Sequence, residues 1–156
     1  MVYLTLSDFE VICNELASLF KKNNDPIPVF KHTYFDKLDG VIASAQRTFG
    51  KKDLYPTIYT KTACYMYFIN KIHPFNNGNK RVSIVSAGVF LQYNGYEFTA
   101  DEEEIYDLAK KITLSKNKQD DDIAETTAFI KAHTRRNKDA VQSRFMFAML
   151  KLLRRE

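Results

Sequence analysis

Tryptophan is absent from this chain of 156 residues, and glycine (5), proline (4) and cysteine (2) are scarce. So few turn-forming residues exclude a β-sandwich of many short strands, a collagen-like repeat and a linker-rich protein. Cys13 and Cys64 are too few for a disulfide framework. No apolar run of about 18 residues and no basic-then-apolar leader is present, which predicts a reduced, cytoplasmic protein without a membrane span. What is abundant is apolar and helix-forming. Hydrophobic residues make up 45% of the chain and charged residues 27%, a balance that excludes disorder as the main state and predicts one α-rich globular domain.

The net charge of +4 is unevenly spread. From residue 131 onward eight Lys and Arg face only Asp139 and Glu156, so the tail carries +6 and residues 1–130 are left at −2. The body therefore lacks the field of a nucleic-acid binder. Any attraction to nucleic acid belongs to the basic C-terminal segment. The chain divides on this basis into a helical domain, residues 1–134, and a basic C-terminal helix, residues 135–156, packed on it or appended to it.

Hydrophobic periodicity places the helices. Ser7 with Glu10 reads as a capping box, which predicts a helix from Asp8 with Leu6 stapled to Val11. Its apolar face is Phe9, Ile12, Cys13, Leu16, Leu19 and Phe20, ended by Asn23-Asn24-Asp25-Pro26. A second helix carries Leu38, Val41, Ile42, Ala45 and Phe49, starts behind Asp36 or Asp39, and stops at Gly50. Residues 57–72 are apolar nearly all round, which predicts a central helix stopped by Pro74. Residues 80–93 resume the pattern and end at Asn94-Gly95. Asp101 with Glu104 opens a helix to about residue 114, Asp120 to Asp122 open one reaching His133, and Asp139 opens a last one ending at Arg154-Arg155. The two acidic runs read as helix caps on solvated surface.

The stretch His73-Pro74-Phe75-Asn76-Asn77-Gly78-Asn79-Lys80-Arg81 is polar between two apolar helices. A loop turning through Gly78 into a helix start offers backbone N–H groups at the positive end of the helix dipole, a site suited to phosphate. Lys80 and Arg81 add two cations and Asn79 an amide. His73, at the other end of the loop, is a base with an ordinary pKa near neutrality. Phe75, flanked by polar residues, is suited to turn inward and pin the loop. Spacing alone leaves this reading level with an exposed, capped connection. The chain has no P-loop and no protein-kinase motifs, and His32, His73 and His133 are too scattered for a zinc site.

The segment from His73 to Arg81 resembles the signature loop of the Fic/Doc superfamily. Its Asn79-Lys80-Arg81 ending is similar to the Doc (death-on-curing) branch, where Fic proteins carry Asn-Gly-Arg. Leu38-Asp39-Gly40 through Phe49-Gly50, Leu54-Tyr55-Pro56-Thr57, the helix before His73 and the helix reaching Asn94-Gly95-Tyr96 are similar as well. The resemblance implies an all-α Fic/Doc fold, with a core helix–loop–helix carrying the loop and a small flap before the core helix. It also implies a toxin of a toxin–antitoxin module, using ATP with Mg²⁺ to phosphorylate a protein hydroxyl, in this branch a threonine of translation elongation factor Tu. AMP transfer, the Fic-branch reaction, is the alternative.

By the family's pattern His73 is the base, with Lys80 and Arg81 completing the catalytic set. Asn76, Asn77, Gly78, Asn79, Lys80 and Arg81 bind the nucleotide, and Phe75 anchors the loop. Lys52, Asp53, Leu54, Tyr55, Pro56, Thr57 and Ile58 form the flap that aligns the target. Two positions depart from the pattern. Asn77 stands where the family has an acidic residue that holds Mg²⁺, and Ile84 stands where Fic proteins carry a second arginine. A neutral amide loses the charge attraction a hard cation needs, which leaves open a non-catalytic interaction module on the same scaffold. No Glu is followed by Gly or Asn, so the self-inhibiting helix of some Fic proteins is absent and the resemblance implies an antitoxin acting in trans.

Overall fold

The computed structural model describes residues 1–21, 27 and 29–137. The expected stop at Asn23-Asn24-Asp25-Pro26 and the expected helix from Asp139 lie outside the described residues. Six α-helices account for most of the remainder: α1 Leu6–Leu19, α2 Phe35–Ser44, α3 Ile58–Ile72, α4 Asn79–Tyr93, α5 Glu102–Leu114 and α6 Gln119–Ala132. Four strands of two or three residues form two antiparallel pairs, the hairpin of β1 Thr48–Phe49 with β2 Lys52–Asp53, and β3 Tyr96–Phe98 with β4 Thr134–Arg136, which α5 and α6 separate in the chain. The fold is all-α, as the sequence led one to expect.

α3 and α4 make the centre. Residues 61–70 and 81–92 are buried without a break. α3 packs against α2, α4, α5 and α6, while α4 also meets α1, α5 and β3. Tyr65 of α3 lies between Phe9 of α1 (ring centroids 6.5 Å apart) and Phe90 of α4 (5.0 Å). Its hydroxyl accepts from the Leu4 amide at 3.4 Å. Two helices buried on every face cannot end in water without polar termini, and the loop between them supplies these.

Tertiary contacts moved several boundaries. α1 is capped by Thr5 and Asp8, not by Ser7 and Glu10. Asp8 Oδ2 accepts from the Thr5 amide at 2.8 Å, and its Oδ1 takes the Tyr93 hydroxyl at 2.7 Å, a contact from α4 that selects this frame. Leu4, ahead of the cap, is buried with Phe9, whereas the expected staple pair Leu6 and Val11 is exposed. α2 ends at Ser44, and Phe49 sits in β1 with 83% of its surface exposed instead of continuing the helix. The cause is a two-residue turn. Gly50 (φ 56) and Lys51 (φ 64) both adopt left-handed dihedrals, the geometry that matches the twist of a short hairpin.

Two further expectations are corrected. Arg135 and Arg136 pair with Glu97 and Tyr96 as strand β4 instead of opening the basic terminal helix. Within the acidic run, Asp120 and Asp121 are exposed but Asp122 is buried. Its Oδ1 accepts from the Ser115 hydroxyl (2.8 Å) and the Asn117 amide (3.2 Å), and its Oδ2 lies 3.9 Å from Lys71 Nζ. That carboxylate ties the start of α6 to the end of α3. Among the described residues no helix is long and apolar enough to cross a membrane.

Candidate active site

α3 stops because Pro74 denies its predecessor helical dihedrals. His73 takes a left-handed conformation (φ 50), and its amide closes the helix on Ile69 O at 3.2 Å. A non-glycine residue in this region carries strain of about 1 kcal/mol. The chain then turns through Gly78 (φ 75) into α4. Glycine is required there twice over: the dihedral disfavours a side chain, and an added Cβ would lie 3.1 Å from Ile27 Cγ1.

Asn79 holds the loop shut. Its Oδ1 accepts from the Phe75 amide at 3.1 Å and its Nδ2 donates to the Phe75 carbonyl at 2.8 Å. Phe75 is buried, with its ring 6.3 Å from that of Phe9 in α1. Asn77 Oδ1 accepts from the Gly78 amide at 2.7 Å, and the Pro74 carbonyl accepts from the Tyr34 amide at 2.8 Å. The loop is therefore braced from within and from two other elements.

These braces leave a cleft of about 220 Å³ lined by His73, Asn76, Asn77, Gly78, Asn79, Lys80, Arg81 and Tyr106. Its floor is the start of α4, where first-turn N–H groups lie beyond the reach of intrahelical acceptors. The Arg81 guanidinium lies 4.3 Å above the Phe20 ring, which fixes the plane of its fork. His73 is exposed at the rim. Partial burial, followed by the positive charges of Lys37, Lys80 and Lys71, holds its pKa below the ordinary 6.5. The imidazole is thus neutral at physiological pH and able to accept a proton.

All the loop residues singled out from sequence meet at this cleft except Phe75, which sits behind it. Asn79 differs from expectation in what its side chain does: both ends of the amide are committed to Phe75, so what it offers a ligand is backbone. The flap residues do not line the cleft. Lys52 and Asp53 form β2, Leu54 is half-exposed, Pro56 is exposed, and Tyr55 and Ile58 are buried. Thr57 caps α3 by accepting from the Thr60 amide at 3.1 Å. The hairpin's other strand, β1, holds Phe49, which the sequence pattern places in a helix. Tyr106 of α5 also lines the cleft and has no mark in the sequence, because a single tyrosine on an amphipathic helix carries no signal until the fold brings it there.

The model of the Fic/DOC family matches residues 3–91, which include α1, the hairpin, α3, the braced loop and most of α4. The chain belongs to the Fic/DOC family. Toxin Doc of Mycolicibacterium smegmatis (strain ATCC 700084 / mc(2)155) is 34% identical over 64 residues, 41% of this chain and 49% of that protein. The chain thus spans about half the length of the curated relative it matches.

The Fic/DOC cleft suits an anion better than a protein-held cation. Among the described residues no carboxylate lines it, Lys80 and Arg81 are both present, and the amide oxygen at the expected metal position, Asn77 Oδ1, already accepts the Gly78 amide. Among the described residues no group of three or more His, Cys, Asp or Glu could hold a metal ion. Hard divalent cations favour charged oxygen ligands, so these side chains do not fit a Mg²⁺ site. The ordered donors are those for phosphate oxygens.

Proposed function

We propose that this chain is a Doc-like toxin that transfers the terminal phosphate of ATP to a protein hydroxyl, with a threonine of translation elongation factor Tu as the target. One observation carries the reading: a histidine whose protonation is disfavoured by its surroundings shares a cleft with a helix N-terminus, Lys80 and Arg81. The match to Toxin Doc and the lysine of Asn79-Lys80-Arg81 support the Doc-type reaction over AMP transfer.

In this reaction the phosphates lie on the first turn of α4, with Lys80 and Arg81 offsetting their charge. The target oxygen attacks the terminal phosphorus. A new O–P bond forms, the bond to the bridging oxygen breaks, ADP departs, and His73 takes the hydroxyl proton. Phosphoryl transfer of this kind depends chiefly on positioning and electrostatics, which a braced loop supplies. The hairpin of β1 and β2 guides the target chain, and a separate antitoxin controls the enzyme.

The test is incubation with ATP, Mg²⁺ and purified elongation factor Tu, followed by mass spectrometry of the factor. A phosphate adduct on threonine is expected, and His73→Ala lowers its rate at least about a hundredfold while ATP still binds. An AMP adduct would replace the reaction with the Fic type. Asn77 at the expected metal position, with no carboxylate among the described residues that line the cleft, favours one second reading, a nucleotide-binding module without turnover. ATP affinity with no adduct, and an adduct restored by Asn77→Asp, would establish it.

A further inference from the structure

Asn70 and Ser83 are fully buried polar residues on the facing sides of α3 and α4, 13 positions apart and bracketing the active loop. Neither lines the cleft. Asn70 Nδ2 donates one hydrogen to Met66 O (2.8 Å) and the other to Ser83 Oγ (2.8 Å). The Ser83 hydroxyl then donates to the Lys80 carbonyl at 2.7 Å. The bond to Met66 O stays within α3 and fixes the Asn70 amide, while the other two run in one sense, from Asn70 through Ser83 to the first turn of α4, so that each strengthens the other. On the far side Asn70 Oδ1 lies 3.4 Å from Thr113 Oγ1 of α5, whose hydroxyl is closer to the Ala109 carbonyl at 2.9 Å.

Burying an amide and a hydroxyl costs about 1–3 kcal/mol when either is left unsatisfied, and apolar side chains would fill this depth of the core without that risk. Apolar contact, however, has no preferred direction. Between two helices buried all round, it leaves their slide and rotation loosely determined. A hydrogen bond one turn before His73 and one turn after Lys80 removes that freedom where the loop begins and ends.

We propose that the Asn70–Ser83 pair is a clasp that sets the separation of the His73 imidazole from the phosphate-facing first turn of α4. Asn70 and Ser83 are positioning residues, acting through His73 and Lys80. The catalytic consequence rests on the function proposed above, and the structural one does not. A misplacement of about 1 Å between base and phosphate cradle costs about a hundredfold in rate, so a clasp outside the cleft carries weight in the reaction.

The experiment compares Asn70→Leu, Ser83→Ala and the double variant with Ile130→Ala, a core truncation in α6. Amide exchange is followed in the full chain without ligand at Phe75 and Gly78, whose N–H groups are bonded inside the loop. Each clasp variant is expected to speed these two amides about tenfold, with no further gain in the double variant. Ile130→Ala lowers the melting temperature without singling them out. Ser83→Ala removes one oxygen and guards against an Asn70 variant that fails to fold. Unchanged loop exchange, or an equal selective rise in Ile130→Ala, overturns the clasp.

Phosphate transfer is the second readout: a tenfold fall in kcat with KM for ATP nearly unchanged is expected. Faster exchange with kcat intact overturns the positioning role. If the unaltered chain transfers nothing to any target, the function proposed above has failed, and exchange alone still decides the clasp.

Discussion

At the residue scale the site turns on His73, whose protonation is disfavoured first by partial burial and then by Lys37, Lys80 and Lys71. The acid limb of kcat/KM is therefore expected below 6.5, and a proton NMR titration of the imidazole should give the same value. Adding ATP should raise it, because phosphate charge offsets the lysines. A pKa above 6.5 in the ligand-free protein would contradict this account. The sign for stability follows. The unfolded chain binds this proton more readily than the native one, so the contribution is present above the ordinary pKa and erodes as pH falls through it. Gly78 offers a sharper substitution. Gly78→Ala is expected to cost about 1–2 kcal/mol from the left-handed dihedral alone, with Ile27 forced to yield. Gly40→Ala, where a Cβ meets nothing within 4 Å in the middle of α2, should stabilise by about 0.5–1 kcal/mol. Urea midpoints of the two variants moving in the same direction would refute the comparison. His73, Phe75 and Gly78 were legible from sequence because each has a chemistry tied to its own position. Tyr106 and Lys37 were not, since they come from other helices.

At the scale of elements the informative case is the hairpin. Lys61 of α3 is fully buried, yet it donates to the Ala45 carbonyl at 3.0 Å and pairs with Asp53 of β2 at 2.9 Å. Burial alone would lower its pKa, but the Asp53 carboxylate and the Tyr3 hydroxyl outweigh that and leave it above the ordinary lysine value. One ammonium thus ties the end of α2 and the hairpin to the core helix. In the antiparallel register Thr48 faces Asp53 and Phe49 faces Lys52. With Asp53 turned to Lys61, alternation puts Phe49 on the opposite face, where it is exposed. Asp53→Ala should destabilise by about 3 kcal/mol, the low end for stranding a buried charge. Lys61→Met should cost less, because it leaves only a half-exposed carboxylate. The reverse order in thermal denaturation would show that the pair does not hold the hairpin. Periodicity carried Phe49 into α2 because it cannot register two successive left-handed residues, one of them a lysine.

Over the whole molecule α3 is the common partner of α2, α4, α5 and α6, so no part of the helical body has a core of its own. Unfolding should be a single cooperative transition. Cys13 in α1 and Cys64 in α3 are built-in reporters: both are buried, and burial pushes both thiols up to about 12. They should resist alkylation in the native state and become reactive at the same urea concentration. Two separated midpoints would mean that α1 leaves the body independently. The order of helices, the polar break at His73 to Arg81 and the family were determined by the sequence itself, because each depends on neighbours along the chain: periodicity, proline, glycine and a contiguous motif. The tertiary structure alone decided the α1 cap, the burial of Asp122, the union of Lys61 with Asp53 and the Asn70–Ser83 bond. Each of these joins residues whose partners are chosen by packing, and no local pattern records which helix face will meet another.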